Sequence, residues 1–249
     1  MIISENHRFA FIHIPKCAGT SIRTMIKDAD PERFQQWGWN WMPRHQRYGD
    51  TAHMPLVDLA PHMLTQVRNF RTVTIVRDPL DRFYSSVEQH FSQHEYRARK
   101  SVEEFVFELN TTNIRYDPAY IHFCPQHYFI AIAQKSHVDD ILRFEDEGWQ
   151  DQFRQILIEQ GMPEEKLVLP ELNKREEQTH TPLSDEALTH LYMLYKRDYA
   201  LLGYTPPMTG TFDLNTADSK NMAKPFDFSA YDSIKIMQAS FKKDILPTK

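Results

Sequence analysis

The stretch Phe9–Ile22, FAFIHIPKCAGTSI, restricts this chain more than any other. Phe9 to Ile14 are almost all apolar or aromatic, which suits a strand buried on both faces of a parallel sheet. Pro15 cannot donate to a ladder and ends the strand. Gly19 permits backbone conformations that a side chain obstructs. Thr20 and Ser21 then bring hydroxyls and free N–H groups to a predicted helix start near Ile22. First-turn amides and the helix dipole both favour an anion there. Lys16 adds a mobile ammonium. The read-out is an α/β chain with an anion cradle where a strand gives way to a helix. It is not the nucleotide-triphosphate loop, whose lysine follows the second glycine of G-x-x-x-x-G-K-[ST]. Here Lys16 precedes Gly19 by three residues.

A second strand-to-helix junction lies further on. Arg71 to Val76 reads as a buried strand, with Val73, Ile75 and Val76 β-branched. It runs into RDPLDRFYSS, in which Asp78 can cap a helix opened by Pro79. Arg77 offers a bidentate fork for phosphate, and Ser85, two helical turns on, a hydroxyl. Arg82 reads as an exposed helix charge. Ligands in open parallel sheets bind at the carboxyl ends of strands, and both junctions fall there.

The two motifs together carry a resemblance. P-K-x-x-G-T-S resembles the 5′-phosphosulfate loop of sulfotransferases that use 3′-phosphoadenosine 5′-phosphosulfate (PAPS), most closely in the carbohydrate branch. R-D-P-x-x-R-x-x-S resembles the 3′-phosphate motif of the same enzymes. The resemblance spans roughly residues 8 to 203. It implies a three-layer α/β sandwich with a central parallel sheet, related to the P-loop NTPase fold. It implies PAPS as donor and no metal. By position it assigns Lys16, Cys17, Ala18, Gly19, Thr20 and Ser21 to the 5′ side, and Arg77 and Ser85 to the 3′ side. Lys174 and Arg175 lie where relatives close a loop over the 3′-phosphate. His53, in Asp50-Thr-Ala-His53-Met-Pro55-Leu56, matches an H-x-P-L-like segment and is the candidate general base, expected to titrate near neutrality. His122, His127 and Glu145 are alternative bases. A Q-x-x-Y-like segment within Tyr120 to Tyr128, which holds Gln126, resembles one near the acceptor side.

The remaining sequence fills in the frame. Helices are expected over 57–63, onward from Pro79 to Phe91, over 101–109, 149–160 and 184–202, the last closed by Gly203. Val138 to Phe144 reads as a third strand. Residues 34–48, with Trp37, Trp39, Trp41, Arg44, His45 and Arg47, lack a clean period and read as a loop. Its aromatic residues either stack on a sugar or adenine or pack over the sheet edge. Residues 110–118 also read as a loop. Residues 1–203 are expected as one transfer domain and 204–249 as an extension on the core, with a terminal helix near 231–243.

Composition narrows the classes. With 249 residues and 41% hydrophobic content, the chain can bury a sizeable core. A formal charge of -5 argues against a general nucleic-acid binder, so an anionic donor needs a local positive pocket. Two cysteines, Cys17 and Cys124, give no disulfide framework. No run reaches the ~20 apolar residues of a membrane span. The loop lies so near Met1 that no leader or anchor is expected before it, and a cytoplasmic protein is expected. Three activities compete. One is PAPS-dependent transfer to a hydroxyl of a glycan, glycolipid or small molecule. The second is a nucleotide kinase or NTPase, which the lysine position opposes. The third is an idle relative that binds nucleotide or glycan. The acceptor and the oligomeric state have no readable code.

Overall fold

The computed structural model describes residues 1–31, 34–36, 39–42, 47–59, 61–94, 100–132, 135–170 and 181–207. Trp37, Arg44, His45, Lys174, Arg175 and the expected helix at 231–243 lie outside the described residues.

The three expected strands are present and form the parallel half of the main sheet. They are β2 (Phe9–Ile12), β6 (Arg71–Val76) and β9 (Asp140–Arg143), with β6 in the middle. Every residue of β2 is buried, as its unbroken apolar run requires. β2 and β9 are shorter than the runs that encode them. In β2 the Ile14 amide turns back to the Ile12 carbonyl at 3.1 Å, so the chain leaves the ladder before Pro15 is reached.

An antiparallel edge extends this sheet. β1 (Ile2–Ser4) pairs with β2, and β3 (Phe34–Gln36) pairs with β1, giving the order β3-β1-β2-β6-β9. β4 (Trp39–Met42) and β5 (Arg47–Asp50) form a separate hairpin. The loop expected over 34–48 is therefore corrected to three strands. Each spans only three or four residues, too few to display an alternation.

Helices follow their end signals. α1 (Gly19–Ala29) begins three residues before the expected Ile22, directly from the turn. The helix expected over 57–63 splits into a 3-10 turn at Leu56–Asp58 and α2 (Pro61–Arg68), with proline at the first helical position. α3 (Pro79–His94) starts at its proline. α4 (Val102–Glu108) carries a complete capping box between Ser101 and Glu104. A short α5 (Asn113–Tyr116) interrupts the loop expected over 110–118, and α6 (His127–Ile130) leads into the small pair β7 (Ala131–Ile132) and β8 (Lys135–Ser136). α7 (Trp149–Glu159) and α8 (Asp185–Leu202) complete the set, with Ser184 capping α8 and Gly203 ending it at φ 68°.

Two cores hold these parts. The first packs α1, α2 and α7 onto the sheet, with Phe153 of α7 edge-on to Phe9 and Phe11 at 6.2 and 5.7 Å. The second joins α3, α4 and α8 through Phe83, Phe91, Phe105, Leu191 and Tyr195. Arg82 is a correction: it is fully buried, not an exposed helix charge. Its guanidinium donates to the carbonyls of His122 and Cys124 at 2.9 and 2.8 Å and lies 5.7 Å from the Tyr195 ring centroid. A buried cation is tolerated because its terminal N–H groups meet carbonyl dipoles, although its Nε has no partner among the described residues.

Candidate functional site

β2 and β6 are parallel neighbours, with Ile12 opposite Thr74, so their carboxyl ends open at one edge of the sheet. The turn after β2 is tight. Lys16 and Ala18 take φ of 68° and 57°, a left-handed region that residues with a side chain rarely occupy. Gly19 has no such angle. Its missing Cβ would stand 1.7 Å from Nε2 of His13. The glycine thus serves a close approach to the His13 ring and not an unusual turn angle. Ala18 caps α1 without a side-chain hydrogen bond. The hydroxyls of Thr20 and buried Ser21 find no partner among the described residues. The Cys17 thiol is buried, and that burial pushes its pKa up to about 12, so it stays protonated.

The turn after β6 is built differently. Asp78 accepts from the amides of Leu80 and Asp81 at 2.8 and 3.1 Å and caps α3, leaving Arg77 without an aspartate partner. The Arg77 guanidinium lies 5.0 Å from the Phe144 ring centroid. Its Nε is buried without a hydrogen-bond partner, and no ion pair reaches it among the described residues. Ser85, one face of α3 further on, is buried with its hydroxyl likewise unpartnered among them.

The two turns meet. Lys16 Nζ donates to Gln89 Oε1 at 2.8 Å, and Gln89 sits one helical turn past Ser85 on α3. Gln126 bridges the turns directly. Its Nε2 donates to the Arg77 carbonyl at 2.7 Å, and its Oε1 accepts from the Arg77 amide at 3.0 Å and from Cys17 Sγ at 3.8 Å. Gln89 does not stand out in sequence, because a glutamine carries no signal until its partners are known, and Gln126 stands out only as part of the Q-x-x-Y-like segment.

His53 follows the same pattern of partial expectation. It ends a 3-10 turn at Thr51–His53. Its ring lies edge-on to His13 at 4.2 Å and to His122 at 5.5 Å. Its Nδ1 sits 3.3 Å from the His13 carbonyl. A carbonyl can only accept, so Nδ1 carries the proton and Nε2 keeps its lone pair. The expected titration near neutrality is overturned. Burial first, then the positive charge of the N-terminal ammonium, Arg23 and Lys16, pushes the His53 pKa down to about 3. His127 is engaged elsewhere, with Nδ1 2.7 Å from Asp198 Oδ1. Glu145 accepts from the Asp78 amide at 2.7 Å and from the Tyr204 hydroxyl at 2.9 Å, so it is an engaged carboxylate.

The arrangement places an ammonium, a guanidinium, three hydroxyls and the first-turn amides of α1 around one edge, beside a neutral imidazole. Such a set can grip two anionic groups and accept a proton. Among the described residues no group of His, Cys, Asp and Glu could hold a metal ion, and no helix is long and apolar enough to cross a membrane. Compared with known proteins, the chain matches the family model described as the sulfotransferase family over residues 1–205. No curated protein and no solved structure matches it.

Proposed function

The chain belongs to the sulfotransferase family, and from that premise we propose that it moves a sulfuryl group from PAPS to a hydroxyl of an acceptor, a glycan or glycolipid in the first instance. The observation that carries this reading is Arg77. A half-buried guanidinium with a buried, unpartnered Nε is costly unless something anionic meets it. It stands at the same sheet edge as a second anion cradle, which fits a ligand phosphorylated at both ends.

In this reading PAPS supplies the sulfuryl group and a phosphate leaving group. The amides and hydroxyls of residues 17–21 hold the 5′-phosphate. Arg77 and Ser85 hold the 3′-phosphate, the feature that separates this donor from ordinary adenine nucleotides. Lys16 exchanges its Gln89 contact for the bridging oxygen on which charge develops. His53 takes the acceptor proton at Nε2 as the new S–O bond forms and the old one breaks. Lys174 and Arg175 are read as further contacts on the 3′ side. Residues 1–203 are read as the transfer domain, folded as the three-layer P-loop-like sandwich, and 204–249 as an extension packed on it.

Thermal shift tests the donor. Adenosine 3′,5′-bisphosphate should raise the melting temperature of the wild type, and Arg77→Ala should lose most of that rise. Stabilisation by ATP–Mg²⁺ with none by the bisphosphate would replace this reading with the kinase or NTPase alternative.

A further inference from the structure

We propose that Gln126 is a positioning residue whose side-chain amide sets the spacing between the two anion-gripping turns. Its role lies in that spacing and not in contact with a ligand. The side chain is fully buried. Its two-point contact with the Arg77 backbone is what a neighbouring strand would supply, placed one residue beyond the last ladder partners of β6, Val76 and Arg143. The same Oε1 lies 3.8 Å from Cys17 Sγ, next to Lys16 in the other turn, where it shares the thiol proton with the Pro15 carbonyl at 3.6 Å. One amide therefore touches the Arg77 backbone and the Cys17 side chain, 49 and 109 residues away in the chain.

The amide is itself fixed. The Arg77 carbonyl can only accept, so Nε2 must face it and Oε1 must face the amide and thiol. Behind it, the Gln126 backbone N–H donates to Asp198 Oδ2 at 2.7 Å, and Asp198 is fully buried on α8. The other Asp198 oxygen takes the His127 amide and ring at 2.9 and 2.7 Å. On the opposite side Arg82 grips the Cys124 carbonyl. Gln126 thus transmits a brace from α3 and α8 to both turns. When two sites bind one rigid ligand, the second contact forms at an effective concentration set by how narrowly their separation is defined. Loosening the separation should weaken a ligand that spans both turns far more than one that touches a single turn.

The experiment has two arms on the full chain, with Gln126→Met, which removes every polar contact at similar length, and Gln126→Glu, which keeps the acceptor but not the donor. The first arm uses no ligand and does not depend on the donor reading. Amide exchange should quicken at Arg77 and at Ile22, whose amide donates to the Ala18 carbonyl of the other turn, together, by about tenfold or more in the methionine variant and less in the glutamate one, with Val73 to Ile75 unchanged. Quickening at one turn alone, or throughout the core, overturns the proposal. If the methionine variant lacks a cooperative melt, the glutamate variant carries the comparison. The second arm rests on the donor reading and measures calorimetric affinity for adenosine 3′,5′-bisphosphate and for the 3′- and 5′-monophosphates. The bisphosphate should lose about tenfold or more while each monophosphate stays within about threefold. An equal loss for all three, or none, overturns the proposal. A wild type that binds ATP–Mg²⁺ and not the bisphosphate fails the donor reading alone, and the exchange arm still decides Gln126.

Discussion

At the scale of single residues, the site depends on groups held short of their usual freedom. Lys16 sits at a left-handed backbone angle with its ammonium on Gln89. Lys16→Ala should lower kcat by about 10²–10³, the usual loss for one transition-state oxyanion donor, with the melting temperature nearly unchanged. Turnover of labelled donor checks this, and near-normal rates would remove Lys16 from the chemistry. Gly19 faces a ring that has nowhere to go, since His13 is buried and packs on Phe11 at 5.8 Å and His53 at 4.2 Å. Gly19→Ala should therefore cost about 1–3 kcal/mol, as overpacking does. It should also displace His53, so that turnover falls along with the denaturant midpoint. A variant with wild-type stability would mean that the His13 ring can move aside.

At the scale of elements, α3 does two jobs. It follows Arg77 and carries Ser85 and Gln89 on its site side. On the other side Arg82 reaches the 122–124 segment that leads to Gln126. Arg82→Leu leaves two carbonyls without their donor, at about 1–3 kcal/mol each. A loss of about 3 kcal/mol or more in denaturant unfolding is expected, with weakened bisphosphate binding because the brace behind Gln126 slackens. Stability within 1 kcal/mol of wild type would show that water satisfies both carbonyls. Charge on a helix is usually solvated, and this one is not, because position 82 faces the segment between α5 and α6 rather than solvent. Nothing local in LDRFYSS signals that.

At the scale of the whole molecule, pH enters through the histidines beneath the site. His13 and His53 are both held below the ordinary histidine range, His13 by burial first and then by the neighbouring His53, and His53 to about 3. The folded protein keeps both neutral where the unfolded chain, with a pKa near ~6.5, takes up protons. Protons then bind preferentially to the unfolded state, so stability is lost as pH falls below about 6.5 toward the folded values. His53→Gln should flatten the slope of unfolding free energy against pH between about 4 and 6.5. An unchanged slope would place the acid sensitivity elsewhere. The acid limb of kcat/KM for the free enzyme should likewise lie well below 6.5 if His53 is the base.

The sequence alone determined the three parallel strands, the two junctions at their carboxyl ends and most helix starts and stops. These are local matters: an apolar run, a proline, a cap or a glycine acts on residues within a turn of itself. It also put forward Lys16, Arg77 and Ser85 as anion-binding candidates, from residue type and place at the junctions, and His53 by motif resemblance. Tertiary structure alone decided that Gly19 serves the His13 ring, that Arg82 is buried, that His53 is held neutral and that Gln126 joins both turns. Each of those rests on partners tens of residues away, which no periodicity records. The short edge strands β1 and β3 belong with them, since a three-residue strand exists only by virtue of the neighbour it pairs with.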